Sequence, residues 1–572
     1  MSAQRFDRLL KTDALIYLTL LALPFLAFGP SLFHDFSPID DWFLIIQNFA
    51  VHGITWEHLW MIFTTYDPEL YIPLTFFTWQ INYEISGLAP WSYHLFNVLL
   101  HGGNAVLLSL TLVQLHINRR VALLAGCIFA VHPLNTEAVV WIAGRKDLLS
   151  TFLYLLSIIL YARFVRGHRW SYAGSLLTFL LALLAKAMAV TLPAVLILLD
   201  LLIERRRISL RLLVEKIPFA LLSILFMIIA TAGKERVIGS ITPFETLLMA
   251  GRSTVFYIHK FFAPIRLSVF YTHRGPITMS DPHFWLPFTI LLIIASAFLW
   301  VGWQQRKRAL HGEKISSGFL LATFGALFFI ATLAPTFLNF QKGAETFIAV
   351  DRYAYLPMLG LFAVVIAAGS FVYDRYLPKL HKKNFLIGTV LLTAIFTTLS
   401  FLQTRIWETP EKLYLQALSI HPESLGARIS YVKLLRERGQ LEAAFQILRE
   451  GIPYGDDSHL HIAAGLVYAK SGQVQEAIAQ FEIAKKMDPK NPEPHFSLGS
   501  LWEQTGNPTL ALEEYKIAVE LDSSYVIARV RLAELLIKNG NASAARMQLE
   551  EAIRWNPNSV EAREALNKLS LK

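Results

Sequence analysis

The sequence contains one cysteine, Cys127, inside an apolar segment. Neither a disulfide framework nor a cysteine-based metal cluster is therefore available to the fold. Charge is also scarce. Only 17% of the 572 residues are Asp, Glu, Lys or Arg, against 54% hydrophobic, and the mean hydropathy is +0.44. These values lie outside the range of soluble globular chains and read as an integral membrane protein. No basic patch is arranged for phosphodiester binding. The net charge of +9 needs no nucleic acid, because cytoplasmic loops of membrane proteins collect Lys and Arg. A small-x-small cleavage site is lacking after Arg5, Arg8, Lys11 and the apolar run 14–33, so that run is expected to be an uncleaved first helix.

Long apolar runs are what the chain has in abundance. They fall near 14–33, 94–115, 121–134, 148–165, 172–185, 189–203, 217–232, 284–303, 317–339, 354–373 and 385–403, and several are short for a membrane span. The basic stretches MSAQRFDRLLK, HINRR, RFVRGHR, ERRRISLRLLVEK, QQRKRALHGEK and YDRYLPKLHKK are mutually consistent as cytoplasmic loops with about eleven spans. The stretch 246–264 then lies along the outer interface or re-enters, and the chain after residue 403 is non-cytoplasmic. The expected division is a membrane domain, 1–403, with an outer loop 34–92, followed by 404–572.

The second part repeats every 34 residues. Gly472, Gly506 and Gly540 recur in register, as do Ala477, Ala511 and Ala545, then Ala484, Ala518 and Ala552. Tyr468, Trp502 and Leu536 fill one large slot and Phe481, Tyr515 and Leu549 another; Pro489 and Pro557 close repeats where Ser523 stands in the middle one. This is the tetratricopeptide pattern, with small residues expected where paired helices cross. Repeats are placed near 424–457, 458–491, 492–525 and 526–559. The overall expectation is all-α, a polytopic membrane domain plus a C-terminal α-solenoid whose concave groove docks a polypeptide or only scaffolds assembly.

The same topology gathers unusual polar residues on the outer face. Asp40 and Asp41 lie in "HDFSPIDDWFLIIQN", Glu137, Arg145, Lys146 and Asp147 in "HPLNTEAVVWIAGRKD", Lys186 in "AKAM", and Glu345, Asp351, Arg352 and Tyr353 in "GAETFIAVDRYAYLP". Cations on the face that the positive-inside bias would leave bare point to an anionic ligand such as a lipid phosphate. The plainer reading pairs Arg145 with Asp147 and Arg352 with Glu345. On the span 94–115, His94, Asn97, His101 and Asn104 form one stripe, read as interhelical hydrogen bonding because no metal-ligand set is completed. His132, before Pro133, reads as a local cap. Trp79, Tyr83, Trp91 and Tyr93 read as an interfacial aromatic belt. Pro38 after Ser37 reads as a helix start, with both aspartates in its first turn.

The blocks "PIDDWFLIIQN", "YHLFNVLLHGGNAVLL", "HPLNTEAVVWIAGRKDLLS", "LLAKAMAVTLPAVLILLD" and "DRYAYLPMLG", followed by the repeats, resemble the transmembrane and tetratricopeptide-repeat O-mannosyltransferase family of C-type membrane glycosyltransferases. The resemblance implies transfer of mannose or another hexose from a polyprenyl-phosphate carrier to a Ser/Thr hydroxyl of an acceptor protein held by the repeats. The array is short, and "YIPLT" (71–75) lacks the Arg or Trp that often precedes this proline in the family. In an inverting single displacement one general base suffices. The resemblance implies Asp40 as that base, with Asp41 orienting the acceptor or holding a basic partner. Arg352 is the first candidate for the leaving phosphate, then Lys186, Arg145 and Lys146; Glu137, Asp147, Tyr353, His94, His101 and His132 support the site. No metal or cofactor is required beyond the lipid-linked sugar donor. Transfer to a lipid or glycan acceptor, and a non-catalytic membrane-anchored scaffold, remain open. The short array and absence of an evident retention tail set the expected location as a bacterial inner membrane, N-terminus cytoplasmic and repeats periplasmic.

Overall fold

A computed structural model describes residues 14–66, 70–233, 241–342, 345–376, 382–556 and 559–570. Arg5, Arg8, Lys11, part of the basic stretch after Tyr376, and Pro557 lie outside the described residues. The chain is predominantly helical and divides into two compact units, Met1–Asp41 with Glu69–Thr409, and Trp42–Pro68 with Pro410–Lys572.

Seven helices of the first unit are long and apolar enough to cross a bilayer: Ile16–Phe33, Trp91–Gln114, Ile142–Val165, Leu210–Ala232, Pro282–Leu310, Ser317–Leu338 and Leu386–Ile406. Arg119–Ala130 and Pro133–Val140 form an eighth candidate, bent by 55° at a break. Trp170–Ala185, Ala187–Ile203 and Met358–Tyr373 are shorter apolar helices. Each of the eleven apolar runs read from the sequence corresponds to a member of this set. The ambiguous stretch near 246–264 is a helix, Pro243–Phe262, opened by a capping box between Thr242 and Glu245. It is not among the helices apolar enough to span.

The only sheet among the described residues has three short strands: Glu345–Ala349 lies between Tyr271–His273 and Gln341–Lys342, antiparallel to both. Its central strand delivers the chain into the 3-10 turn Asp351–Ala354. Tyr257, on the helix Pro243–Phe262, locks that junction. Its hydroxyl donates to the Val350 carbonyl at 2.9 Å and accepts from the Val350 amide at 3.0 Å.

In the second unit, the helix Pro410–Ile420 precedes four antiparallel pairs, Leu425–Glu437 with Leu441–Arg449, Ser458–Lys470 with Val474–Met487, Glu493–Gln504 with Pro508–Leu521, and Val526–Lys538 with Ala542–Trp555. The recurring alanines are fully buried. The recurring glycines do a different job from the one expected. Gly472, Gly506 and Gly540 occupy the interhelix turns at φ of 79°, 82° and 77°, a conformation that L side chains resist. Close crossing belongs instead to Gly465 and Gly499, where an added Cβ would stand 2.5 Å from the Phe481 ring and 2.7 Å from the Tyr515 ring.

The segment 42–68 belongs to this second unit. It runs through a π turn, Trp42–Ile46, to a helix, Trp56–Thr64, capped by the Thr55 hydroxyl. His58, Met61 and Ile62 face inward on that helix, and Glu57 reaches Arg563 of the last helix at 3.8 Å.

Candidate functional site

The site is built at a break in a membrane helix. After the turn Pro133–Asn135 and the helix Thr136–Val140, Trp141 is extended, Ile142–Gly144 form a 3-10 turn, and a new helix starts at Arg145. Gly144 permits the close return of the chain, since a Cβ there would lie 2.4 Å from the Ala138 carbonyl. A broken helix frees backbone groups that lipid cannot satisfy. Asn97 supplies much of the remedy, its amide donating to the Trp141 carbonyl at 3.0 Å.

Asp41 supplies the rest. One carboxylate oxygen accepts from the Ala143 amide at 2.9 Å and the other from the Ser37 amide at 2.8 Å. The two aspartates therefore diverge. Residues 38–40 form a turn, so Asp41 folds back to cap Ser37 and is fully buried. It holds backbone amides, and a basic residue, Lys146, acts on it through its charge. Asp40 keeps 42% of its side chain exposed and pairs with Lys146 at 3.9 Å.

Burial pushes the Asp41 carboxyl up to about 7, with Asp40 adding to the rise against the two amides and Lys146. The folded state therefore holds this proton at pH values where the unfolded chain, near the ordinary 3.8, has released it. Folding stability then declines as pH rises from the ordinary carboxylate range to about 7 and levels off above. Asp41→Asn is expected to flatten that slope and to cost about 1–3 kcal/mol, because one amide loses its acceptor. Unfolding in detergent across this pH range checks it; an unchanged slope would assign the titration elsewhere.

Around Trp141 the remaining charges converge. The Lys146 ammonium lies 4.9 Å and the Arg352 guanidinium 4.6 Å from the Trp141 ring centroid. Arg352 forms a buried ion pair with Glu137, whose other oxygen accepts from the Arg352 amide at 3.1 Å. Burial works against the Arg352 charge, but Glu137, Tyr353, Asp147 and Asp40 together outweigh it and hold the guanidinium above its ordinary range. Lys186 pairs with Asp147 and lies 5.2 Å from the Tyr353 ring, which is also 5.2 Å from the Arg352 guanidinium. The pairings differ from those the sequence offered: Glu137, not Glu345, takes Arg352, and Lys186, not Arg145, takes Asp147. Among the described residues, Arg352 Nε and one oxygen of Asp147 have no hydrogen-bond partner although buried.

Asp40, Glu137, Lys146, Asp147, Lys186, Arg352 and Tyr353 are thus brought together. Trp141, which the sequence did not single out, is at their centre. It was visible only as the aromatic residue before "IAGRKD", and nothing in one dimension places its ring beside two cations.

Other candidates turn away. Arg145 is fully buried, giving Nε to Asn97 at 2.8 Å, one terminal nitrogen to the Tyr93 carbonyl at 2.6 Å and the other to Asn82. His101 bridges the Tyr355 hydroxyl at 2.6 Å and the Ala130 carbonyl at 3.1 Å. His132 accepts from the Leu134 amide at 3.2 Å and meets the Phe261 carbonyl at 3.0 Å. His94 sits edge-on to His34, ring centroids 6.2 Å apart. On the stripe, His101, Asn97 and Asn104 make the interhelical hydrogen bonds expected of it, whereas His94 contributes a ring contact. Among the described residues no group of three or more His, Cys, Asp and Glu is placed to hold a metal. Trp79 and Tyr93 do not form an interfacial belt. Both are fully buried, because Trp79 packs against Phe76 and Tyr93 bonds the Gly87 carbonyl at 3.0 Å.

Comparison with known proteins agrees with this architecture. Tetratricopeptide repeat models match residues 462–526 and 503–569. The human protein O-mannosyl-transferase TMTC3 is 24% identical over 468 residues, which cover 73% of this chain and 48% of the relative. The human protein O-mannosyl-transferase TMTC4 is 26% identical over 473 residues, 71% of this chain and 62% of the relative. The chain therefore spans about half to three-fifths of the length of these relatives. The solved structure of TTC0263, a thermophilic tetratricopeptide-repeat protein of Thermus thermophilus, is 18% identical and covers 34% of this chain and 100% of that one, with a TM-score of 0.26. By its apolar helices, its repeats and its matches to these relatives, the chain is a membrane protein homologous, over 71–73% of its length, to the TMTC protein O-mannosyl-transferases.

Proposed function

We propose that the protein is a membrane glycosyltransferase that moves mannose or another hexose from a polyprenyl-phosphate carrier to a Ser/Thr hydroxyl of an acceptor protein docked by the repeats. The observation that carries this reading is the exposed Asp40 carboxylate beside Lys146, with Arg352 and Lys186 gathered around Trp141 and Tyr353. That is one accessible base next to an anion-binding cluster. The acceptor oxygen attacks the anomeric carbon with inversion, Asp40 takes its proton, and the anomeric C–O bond breaks so that polyprenyl phosphate leaves as an anion. Lys146, Lys186 and Arg352 stabilise the charge on the departing phosphate. Asp41 positions the break that carries Lys146. Arg145 is assigned to structure, not to phosphate. The basic loops support a cytoplasmic N-terminus with the site and repeats on the non-cytoplasmic side of the membrane. We propose a bacterial inner membrane as that membrane.

The test is release of polyprenyl phosphate by purified protein from a panel of polyprenyl-phosphate sugars with a Ser/Thr-containing acceptor. Acceptor-dependent release supports the reading; no donor binding and no turnover by folded protein would overturn it. Arg352→Ala is expected to lower turnover of the folded fraction by ~10²–10³-fold, the typical cost of removing one preorganised charge stabiliser. Arg352→Lys should recover only part, because an ammonium lacks the guanidinium fork. Unchanged rate and donor affinity in Arg352→Ala would remove it from the phosphate site.

A further inference from the structure

Of the aromatic residues nominated from the sequence of the first outer loop, Trp91 reaches the surface at 46% exposure, but four others in that loop do so as well or better. Trp56 is 80% exposed, Trp60 63%, Phe43 57% and Trp42 48%. On the helix Trp56–Thr64, Trp56 and Trp60 are four residues apart and share one face, while His58, Met61 and Ile62 point into the second unit. The helix is therefore apolar on two sides. A helix with that pattern sits between a protein core and a second apolar phase, and two tryptophans exposed on one helix face mark an interaction site.

The local sequence selects the phase. Trp42 follows the end of the span candidate Ile16–Phe33 by nine residues, so chain length alone keeps Trp42 within roughly 30 Å of that end. Apart from Phe43, these exposed residues are tryptophans carrying a polar N–H on an apolar ring, the side chain that concentrates at the headgroup level. The exposed stripe carries no Lys or Arg, which favours insertion of rings over attraction to lipid charge.

We infer that Trp42, Phe43, Trp56 and Trp60 form a wedge that inserts into the headgroup region of the outer leaflet and seats the repeat unit, to which this segment belongs, on the bilayer surface. The partner is the lipid interface itself, with no demand on headgroup charge. The inference does not depend on glycosyl transfer and stands or falls separately from it.

The single cysteine makes the test direct. In a Cys127→Ser background, Trp60→Cys in the full chain is labelled with a nitroxide and reconstituted into phosphatidylcholine vesicles. Lys516→Cys, exposed on a repeat helix, is the aqueous reference. Accessibility to oxygen and to a water-soluble nickel chelate is read for both by power saturation. The expected result is several-fold lower nickel access at 60 than at 516, with oxygen access raised, and the same pattern for a label at Trp56→Cys. Vesicles with and without anionic lipid should give the same depth. Nickel access at 60 equal to that at 516 overturns the wedge. So does protection that appears only on adding an acceptor polypeptide, which would make the aromatic face a protein-docking surface. Because Trp56 and Trp60 are exposed, loss of folding in one variant leaves the other to decide.

Discussion

Asp40→Asn in the full chain is expected to lower acceptor-dependent sugar transfer by ~10²–10⁴-fold, the usual worth of a positioned general base, while donor binding and thermal stability stay close to wild type. The amide has nearly the shape of the carboxylate and cannot take a proton from the acceptor hydroxyl. Stability should hold because Asp40 is 42% exposed and its ion pair with Lys146 spans 3.9 Å, a geometry that contributes little in water. Asp41→Asn should behave in the opposite way, altering stability and its pH dependence more than it alters chemistry per folded molecule. Measuring both variants for turnover and unfolding separates the roles. Full transfer by Asp40→Asn would eliminate it as the base; a loss confined to Asp41→Asn would exchange the two assignments.

That contrast also shows what the sequence made legible. Adjacent aspartates after Ser37 and Pro38 announce a helix start, and helical geometry says that neighbours point about 100° apart. It does not say which one turns inward. The choice depends on the Ala143 amide, which is free only because the helix breaks at Trp141 and comes back through Gly144. The 34-residue period, by contrast, is a local property repeated, so the helix pairs and buried alanines can be read directly, although the period alone does not separate a turn glycine from a crossing one. Apolar runs were legible for the same reason. The pairing of Arg352 with Glu137 and of Lys186 with Asp147 was not, because each joins residues from distant segments of one face, and several neighbours offered equally good charges. Trp79 and Tyr93 illustrate the limit for aromatics: composition places them in an outer loop, but packing of the helices Pro73–Ser86 and Trp91–Gln114 buries them.

Arg145→Ala is expected to destabilise the membrane unit by several kcal/mol, without changing donor affinity in whatever fraction folds. The guanidinium is fully buried and divides its donors among the side-chain oxygens of Asn97 and Asn82 and the carbonyl of Tyr93, with the Phe96 ring centroid 4.5 Å away. Removing it strands the two asparagine oxygens, at about 1–3 kcal/mol for each buried group left unsatisfied, and takes a second donor from the Tyr93 carbonyl. The damage spreads through Asn97, because the same side chain that accepts from Arg145 also donates to the Trp141 carbonyl at 3.0 Å. That link joins Arg145 to the break at Trp141, the residue beside whose ring the Lys146 ammonium lies. Arg145→Lys should rescue little, since one ammonium cannot reproduce a planar fork aimed at three acceptors. Resistance to unfolding in detergent and donor binding by the folded fraction are the two measurements required. Lower stability with unchanged donor affinity assigns Arg145 to the scaffold of the break; normal stability with weakened donor binding would return it to the phosphate site, and would mean that Arg145, Lys146 and Asp147 do not diverge as consecutive positions on one helix.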